Sequence, residues 1–255
     1  MRKRVLRLAG HYAPPTLLVA ALIVAWHWVT VWFDISPIIL PAPLAVLEAG
    51  IRFRDLLPEQ ILVTVTETIL GLVVSLAIAV PLAILVVWAP LLRRTIYPVI
   101  LAGQSVPKVA LAPLFLIWIG YGIVSKVLIA ASIAFFPIMV NTVAGLSLVE
   151  PDLLDMVRVL RASTLQTFLK IRIPTAMPHF FSGTKVAVTL AVIGSVVGEF
   201  VGADKGLGYL MMAAGSQMNT AMVFVALVIL SLTGVILFGL VELVQRLTCP
   251  WSTGE

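Results

Sequence analysis

Long apolar runs alternate with short polar or proline-rich interruptions along this chain. Residues 14–33, 61–87, 124–148, 179–201 and 221–244 are each almost continuously apolar. A helix needs about 20 such residues to cross roughly 30 Å of hydrocarbon, so each run is predicted to span a membrane. A further run, 95–119, is interrupted by QSVPKVALAP and closes at Gly-Tyr-Gly, 120–122, which predicts a broken or kinked spanning helix. The pattern implies an all-α, polytopic membrane protein of about six transmembrane helices, organised as one domain over residues 1–255.

The interruptions give these spans their direction. Pro37, Pro41 and Pro43 turn the chain before a short mixed helix that reaches Pro58, and PLLRR, 90–94, separates the second and third runs. Pro81 is a candidate bend within the second run. Arg2, Lys3, Arg4, Arg7, Arg93, Arg94, Arg158, Arg161, Lys170, Arg172, Lys185 and Arg246 all fall on one side of a six-span topology. That bias predicts both termini in the cytoplasm. Arg52, Arg54, Lys126 and Lys205 then fall outside, among Asp34, Glu48, Asp55, Glu59, Glu199 and Asp204.

Composition adds exclusions. The chain is 61% hydrophobic and 11% charged, and its net charge of +5 sits beside apolar spans instead of forming a basic stripe, so topology explains it better than nucleic-acid binding does. One cysteine, Cys249, and three scattered histidines, His11, His27 and His179, suggest neither disulfides nor a metal site.

Between the fourth and fifth spans lies EPDLLDMVRVLRASTLQTFLKIRIPTAMP, 150–178, the most charged connection. Leu153, Val157 and Leu160 form an apolar stripe at helical spacing, with Asp155, Arg158 and Arg161 on the more polar remainder. Ser163 followed by Gln166 predicts a capping box that starts a second helix, whose apolar residues are Leu165, Phe168 and Leu169. Pro174 is expected to end that helix and Pro178 to open the fifth span. Pattern alone leaves two readings open: a connector lying among anionic headgroups, or a docking platform for a cytoplasmic partner.

This stretch resembles the EAA loop of binding-protein-dependent ABC importer permeases, particularly the nitrate, sulfonate and taurine type. Asp155, Met156 and Val157 stand at the opening triplet, Arg161 at the glycine position, and Pro174 at the closing proline. The resemblance extends over TETILG at 66–71, VPKVALAPLFLIWIG at 106–120, ASTLQTFLKIRIPTAMPHFFSG at 162–183 and GEFVGADKGLGYL at 198–210. It implies a type I importer permease of the bacterial inner membrane, with 150–178 as a coupling loop seated on cytoplasmic ABC ATPase subunits. It also implies an external solute-binding protein, a second permease copy in a homodimer or paired assembly, and ATP and Mg bound by the ATPase, with no cofactor in this chain. Solutes of such permeases include nitrate, alkanesulfonates, taurine and pyrimidine or thiamine precursors. Leu165 and Phe168 are then candidate anchors, while Asp155, Arg158, Arg161, Ser163, Lys170 and Pro174 would orient the dock. An arginine adopts a glycine's left-handed conformation only at a cost, so Arg161 is expected to continue the helix or to pair with the ATPase.

Ionisable residues at membrane depth mark pairing or a pathway, which makes Glu67, Lys108 and Glu199 candidates for the pore or gate. Gly194, Gly198 and Gly202 recur every four residues and predict close helix packing. No G-x-x-x-x-G-K-[ST] motif is present, so ATP hydrolysis would fall to another polypeptide. An ion-coupled secondary transporter is the alternative, weakened by the absence of visible inverted halves.

Overall fold

The computed structural model describes residues 2–252, and the side chains of 14–150 and 152–251. The side chains of Arg2, Lys3, Arg4, Arg7 and His11, used in the reading above, lie outside this set. Among the described residues the regular elements are helices: α1 (Arg2–Trp32), α2 (Pro43–Arg52), α3 (Leu57–Trp88), α4 (Pro90–Gly103), α5 (Ala112–Ile119), α6 (Ile123–Ser147), α7 (Pro151–Val159), α8 (Thr164–Thr167), α9 (Ile173–Gly202), α10 (Leu207–Ser216) and α11 (Thr220–Thr248). Among the described residues, five helical stretches are long and apolar enough to cross a membrane, and a sixth results if α4 and the Lys108–Ile119 segment count as one span. Those two pieces meet at 86°. Pro107 precedes the tight Lys108–Leu111 turn between them, where a missing amide hydrogen costs no helical bond. Pro81, by contrast, sits within an uninterrupted α3.

The chain divides into two compact units. In the first, Met1–Pro58 with Leu210–Val228, the rings of Trp26 and Phe224 lie 5.5 Å apart and Thr220 Oγ1 donates to the Ile38 carbonyl. Leu17, Leu18, Leu22, Val24, Trp28 and Trp32 of α1 remain exposed, as suits a helix whose surroundings are lipid.

The second unit, Glu59–Tyr209 with Ile229–Glu255, is built around α6 and α9. Its core sets Ala79, Ala83 and Val86 of α3 against Ala134, Ile138, Met139 and Val143 of α6 and Ala187 and Ala191 of α9. Small side chains dominate because lipid tails are as apolar as leucine, so close packing has to supply the attraction. Gly194 shows how tight this is: a Cβ there would lie 2.6 Å from Ala130 Cα. Gly198 and Gly202 continue the same face, against Lys126 and the Tyr121 ring, so the four-residue glycine repeat is a packing seam.

Pro174 does not end a helix, nor does Pro178 begin one. The chain is helical from Thr164 to Gly202. A π turn over Phe168–Arg172, in which the Ile173 amide donates to the Phe168 carbonyl, widens the helix just before Pro174. The slipped register gives the pyrrolidine ring space that an ordinary α turn denies it.

Candidate functional site

The 150–178 loop is a sequence of caps. Glu150 precedes α7, Pro151 occupies its first turn and Asp152 lies near its positive N-terminal end. The helix stops in a Schellman motif: the Arg161 amide donates to the Arg158 carbonyl at 3.0 Å and the Ala162 amide to the Val157 carbonyl at 3.0 Å. Arg161 has φ +54°, so it adopts the left-handed conformation that the family glycine would occupy, contrary to the expectation of a continued helix. Two capping bonds and an immediate restart of helix fix the backbone there and outweigh a cost of about 1–2 kcal/mol.

The restart is the predicted capping box. The Gln166 amide donates to Ser163 Oγ at 3.2 Å, and the Ser163 amide donates to Gln166 Oε1 at 2.9 Å. Arg172 Nη1 donates to the Leu146 carbonyl at 2.9 Å, which ties the π turn to the last turn of α6. Asp155 and Arg158, both exposed, pair at 2.7 Å.

Phe168 is not an outward anchor. Its ring is buried with Leu146 and Ala176, and its centroid lies 5.6 Å from that of Trp88. The exposed apolar residues of the loop are Met156, Val159, Leu160, Leu165 and Leu169; Leu160, on one stripe with Leu153 and Val157 by spacing, is 71% exposed while those two are half-buried. Lys170 is exposed as well.

A second polar cluster lies toward the other end of α9. Lys126 Nζ donates to Glu67 Oε1 at 2.9 Å, and Lys126, Glu67 and Glu199 are 5%, 1% and 2% exposed. Thr64 Oγ1 donates to Glu199 Oε1 at 2.6 Å, and the Thr68 and Ser195 hydroxyls lie 3.0 Å apart. Burying these charges is tolerable because Lys126 pairs with Glu67 and because Thr64 and the Gly208 amide meet Glu199, although Glu67 Oε2 is left without a hydrogen bond. Three successive amides complete the cluster: Gly206 donates to Gln60 Oε1, Leu207 to Thr64 Oγ1 and Gly208 to Glu199 Oε2. These groups open α10, so its otherwise unpaired N-terminal amides are capped by side chains of α3 and α9, with a carboxylate at the positive end of the helix. Gly206 is required there: its φ is +117° and a Cβ would lie 2.3 Å from the Glu199 carboxyl.

Glu67 and Glu199 thus come together around Lys126, which charge counting had placed among outer-side bases. Lys108 stands apart, with Nζ donating to the Gln104 carbonyl at 2.8 Å and lying 4.3 Å from the centroid of the Phe136 ring. One signal for the cluster was in the sequence: Gln60, Thr64, Glu67, Thr68, Gly71 and Ser75 are all buried and recur at helical spacing. Thr66, which breaks that spacing, is turned outward to its own Leu62 carbonyl.

Among the described residues the architecture is that of an all-α, polytopic membrane protein with small-residue seams and a capped connecting loop. Residues 71–248 match the family model described as "Binding-protein-dependent transport system inner membrane component", and the chain belongs to that family. Its members are the membrane-passage subunits of ABC importers; ATP hydrolysis takes place in a separate ATPase subunit, which binds ATP and Mg. The chain is 34% identical over 238 residues to the formylaminopyrimidine transport permease protein ThiX of Halalkalibacterium halodurans, covering 93% of this chain and 95% of that one. It is 30% identical over 240 residues to the taurine transport system permease protein TauC of Escherichia coli, covering 91% and 87%. Among solved structures, an inward-facing MetNI methionine ABC transporter chain shares the fold, with TM-score 0.60, 21% identity and coverage of 74% of this chain and 98% of that one.

Proposed function

We propose that this chain is the permease of an importer in which residues 150–178, part of one permease domain over 1–255, face the cytoplasm with both termini and seat on an ABC ATPase. The observation that carries this reading is the loop itself. Two capped turns hold it in one shape while Met156, Val159, Leu160, Leu165 and Leu169 stay exposed beside Asp155, Arg158, Arg161 and Lys170. Apolar centres rimmed by charge are what a protein partner covers. Because the loop continues without a break into α9, a displacement at the dock is delivered to a spanning helix, the requirement for alternating access. Two permease copies, pairing as a homodimer, would enclose the path, and an external binding protein would deliver the solute.

For the solute, we favour a pyrimidine of the thiamine-precursor class, supported by the ThiX likeness over nearly the whole chain. A small sulfonate such as taurine is the second reading, supported by TauC. Glu67 and Glu199, joined through the buried cluster, and Lys108, on the Gln104 carbonyl, are the candidates for the pore or gate.

Deletion of residues 161–169 is expected to leave membrane insertion intact while abolishing co-purification of the ATPase and uptake. Leu165→Asp, which changes an exposed side chain only, should weaken the same association. ATP-dependent uptake that persists in the deletion would sink the docking assignment. Uptake of radiolabelled formylaminopyrimidine and taurine by cells expressing the whole importer separates the two solutes.

A further inference from the structure

The amides of Gly206, Leu207 and Gly208 are held by side chains from two different helices. Gln60 and Thr64 lie one turn apart on α3, and Glu199 lies near the end of α9. Glu199 is the joint between them, since one carboxylate oxygen accepts from Thr64 and the other from the Gly208 amide. Any movement of the end of α9 along or about its axis relative to α3 stretches one of these bonds.

The Thr164–Gly202 stretch has 39 residues, about 58 Å of helix at 1.5 Å per residue. The docking loop is its N-terminal end and Glu199 lies within a turn of its C-terminal end. Lys126 and Glu67 set the carboxylate's surroundings from α6 and α3, leaving the cluster almost dry. Released amides and carboxylate would therefore need water or new partners, so the contact has two states, made or broken, instead of a graded stretch.

We propose that Glu199 is a positioning residue of the transport cycle: it latches the first turn of α10 to α3 in the resting state, and displacement of α9 by the docking loop opens the latch. This deepens the importer reading and rests on it. Gln60 and Thr64 are the receiving half of the latch, and Lys205, bonded to Glu59 at 2.7 Å, forms an exposed outer contact beside it.

The test is hydrogen exchange by mass spectrometry on the assembled permease–ATPase complex in lipid nanodiscs, nucleotide-free and trapped with Mg-ATP and vanadate. The amides of 206–208 are expected to be protected at rest and to exchange about tenfold faster or more when trapped, while amides in the middle of α6 stay protected in both. In Glu199→Gln, which keeps one acceptor oxygen but loses the charge, resting exchange should rise and the trapping-dependent difference should shrink. Gln60→Ala, at the edge of the cluster, should raise exchange at Gly206 most. A group serving stability alone would raise exchange equally in both states, and that result overturns the latch. Unchanged protection of 206–208 in a complex that hydrolyses ATP overturns the latch alone, whereas failure of the ATPase to associate overturns the importer reading with it.

Discussion

On the loop, Asp155 and Arg158 pair at 2.7 Å with side chains 67% and 80% exposed; at the other end of α9, Glu67 and Lys126 pair at 2.9 Å with 1% and 7% exposed. Both are carboxylate–cation pairs at similar distances, but the environments reverse their meaning. In water the first pair gains little and remains free to exchange its partner for one on another protein. In the dry cluster neither member of the second pair can be released without leaving an unpaired charge. Under the docking proposal, the side chains that would meet a partner sit where caps hold the backbone and the tips are exposed, whereas the buried groups hold the helices to one another.

The largest test of this contrast is Lys126→Met. Loss of the ammonium should cost about 3–5 kcal/mol and lower the thermal midpoint of the purified permease sharply, while the double variant with Glu67→Met should recover much of the loss. A midpoint shift no larger than that of Asp155→Asn would erase the distinction. Next comes Gly194→Leu, which forces atoms into a space where a Cβ already meets Ala130 at 2.6 Å. Its expected cost is about 1–3 kcal/mol, with faster amide exchange along both α6 and α9. A silent substitution would show that the seam is loose.

At the loop, Ser163→Ala should cost about 1 kcal/mol of local stability, visible as faster exchange in residues 164–167 without a change in the bundle. Arg161→Gly should move the other way, slowing exchange there by relieving up to about 1–2 kcal/mol of left-handed cost. Loss of protection in that variant would mean that the guanidinium, not the backbone, organises the turn. Asp155→Asn should change stability by less than about 1 kcal/mol in the same denaturation experiment.

The smallest effect concerns pH. The Glu59 carboxylate beside Lys205 raises the lysine above its ordinary value through their hydrogen bond and charge attraction. A raised lysine contributes fully below its unfolded value and loses that contribution only as pH climbs through the folded one, so this contact should be constant across neutral pH and weaken in strong alkali. Lys205→Gln should lower stability slightly and evenly across neutral pH and abolish the alkaline fall of the stability–pH profile.

How much of this was legible in the sequence follows the range of the interaction concerned. The Ser163 capping box involves residues three apart, and the broken third span was announced by Pro107 and its polar neighbours, so both could be read locally. Glu67 and Lys126 are separated by 59 positions and Thr64 and Glu199 by 135, distances over which periodicity says which faces are buried but not which faces meet. Pro174 misled because a proline normally stops a helix, and the π turn that admits it has no strong local signature. Arg161 misled in the same way: intrinsic preference opposed the left-handed state, and the Schellman bonds around it prevailed. Phe168 illustrates that an apolar run does not say which of its members faces the bundle: Leu165 and Leu169 stay exposed while the Phe168 ring packs inward.

The central claim, that the loop end of α9 is the end that meets the ATPase, is tested most directly by cysteine cross-linking in the assembled importer. On a Cys249→Ser background, single cysteines at Leu165 and at Lys205 mark the two ends of the same helical path. A short bifunctional maleimide should join the Leu165→Cys permease to the ATPase, in a nucleotide-sensitive yield, and leave the Lys205→Cys permease uncoupled from it. Cross-linking to the ATPase from Lys205→Cys, or none from Leu165→Cys in a complex that still hydrolyses ATP, would contradict the account.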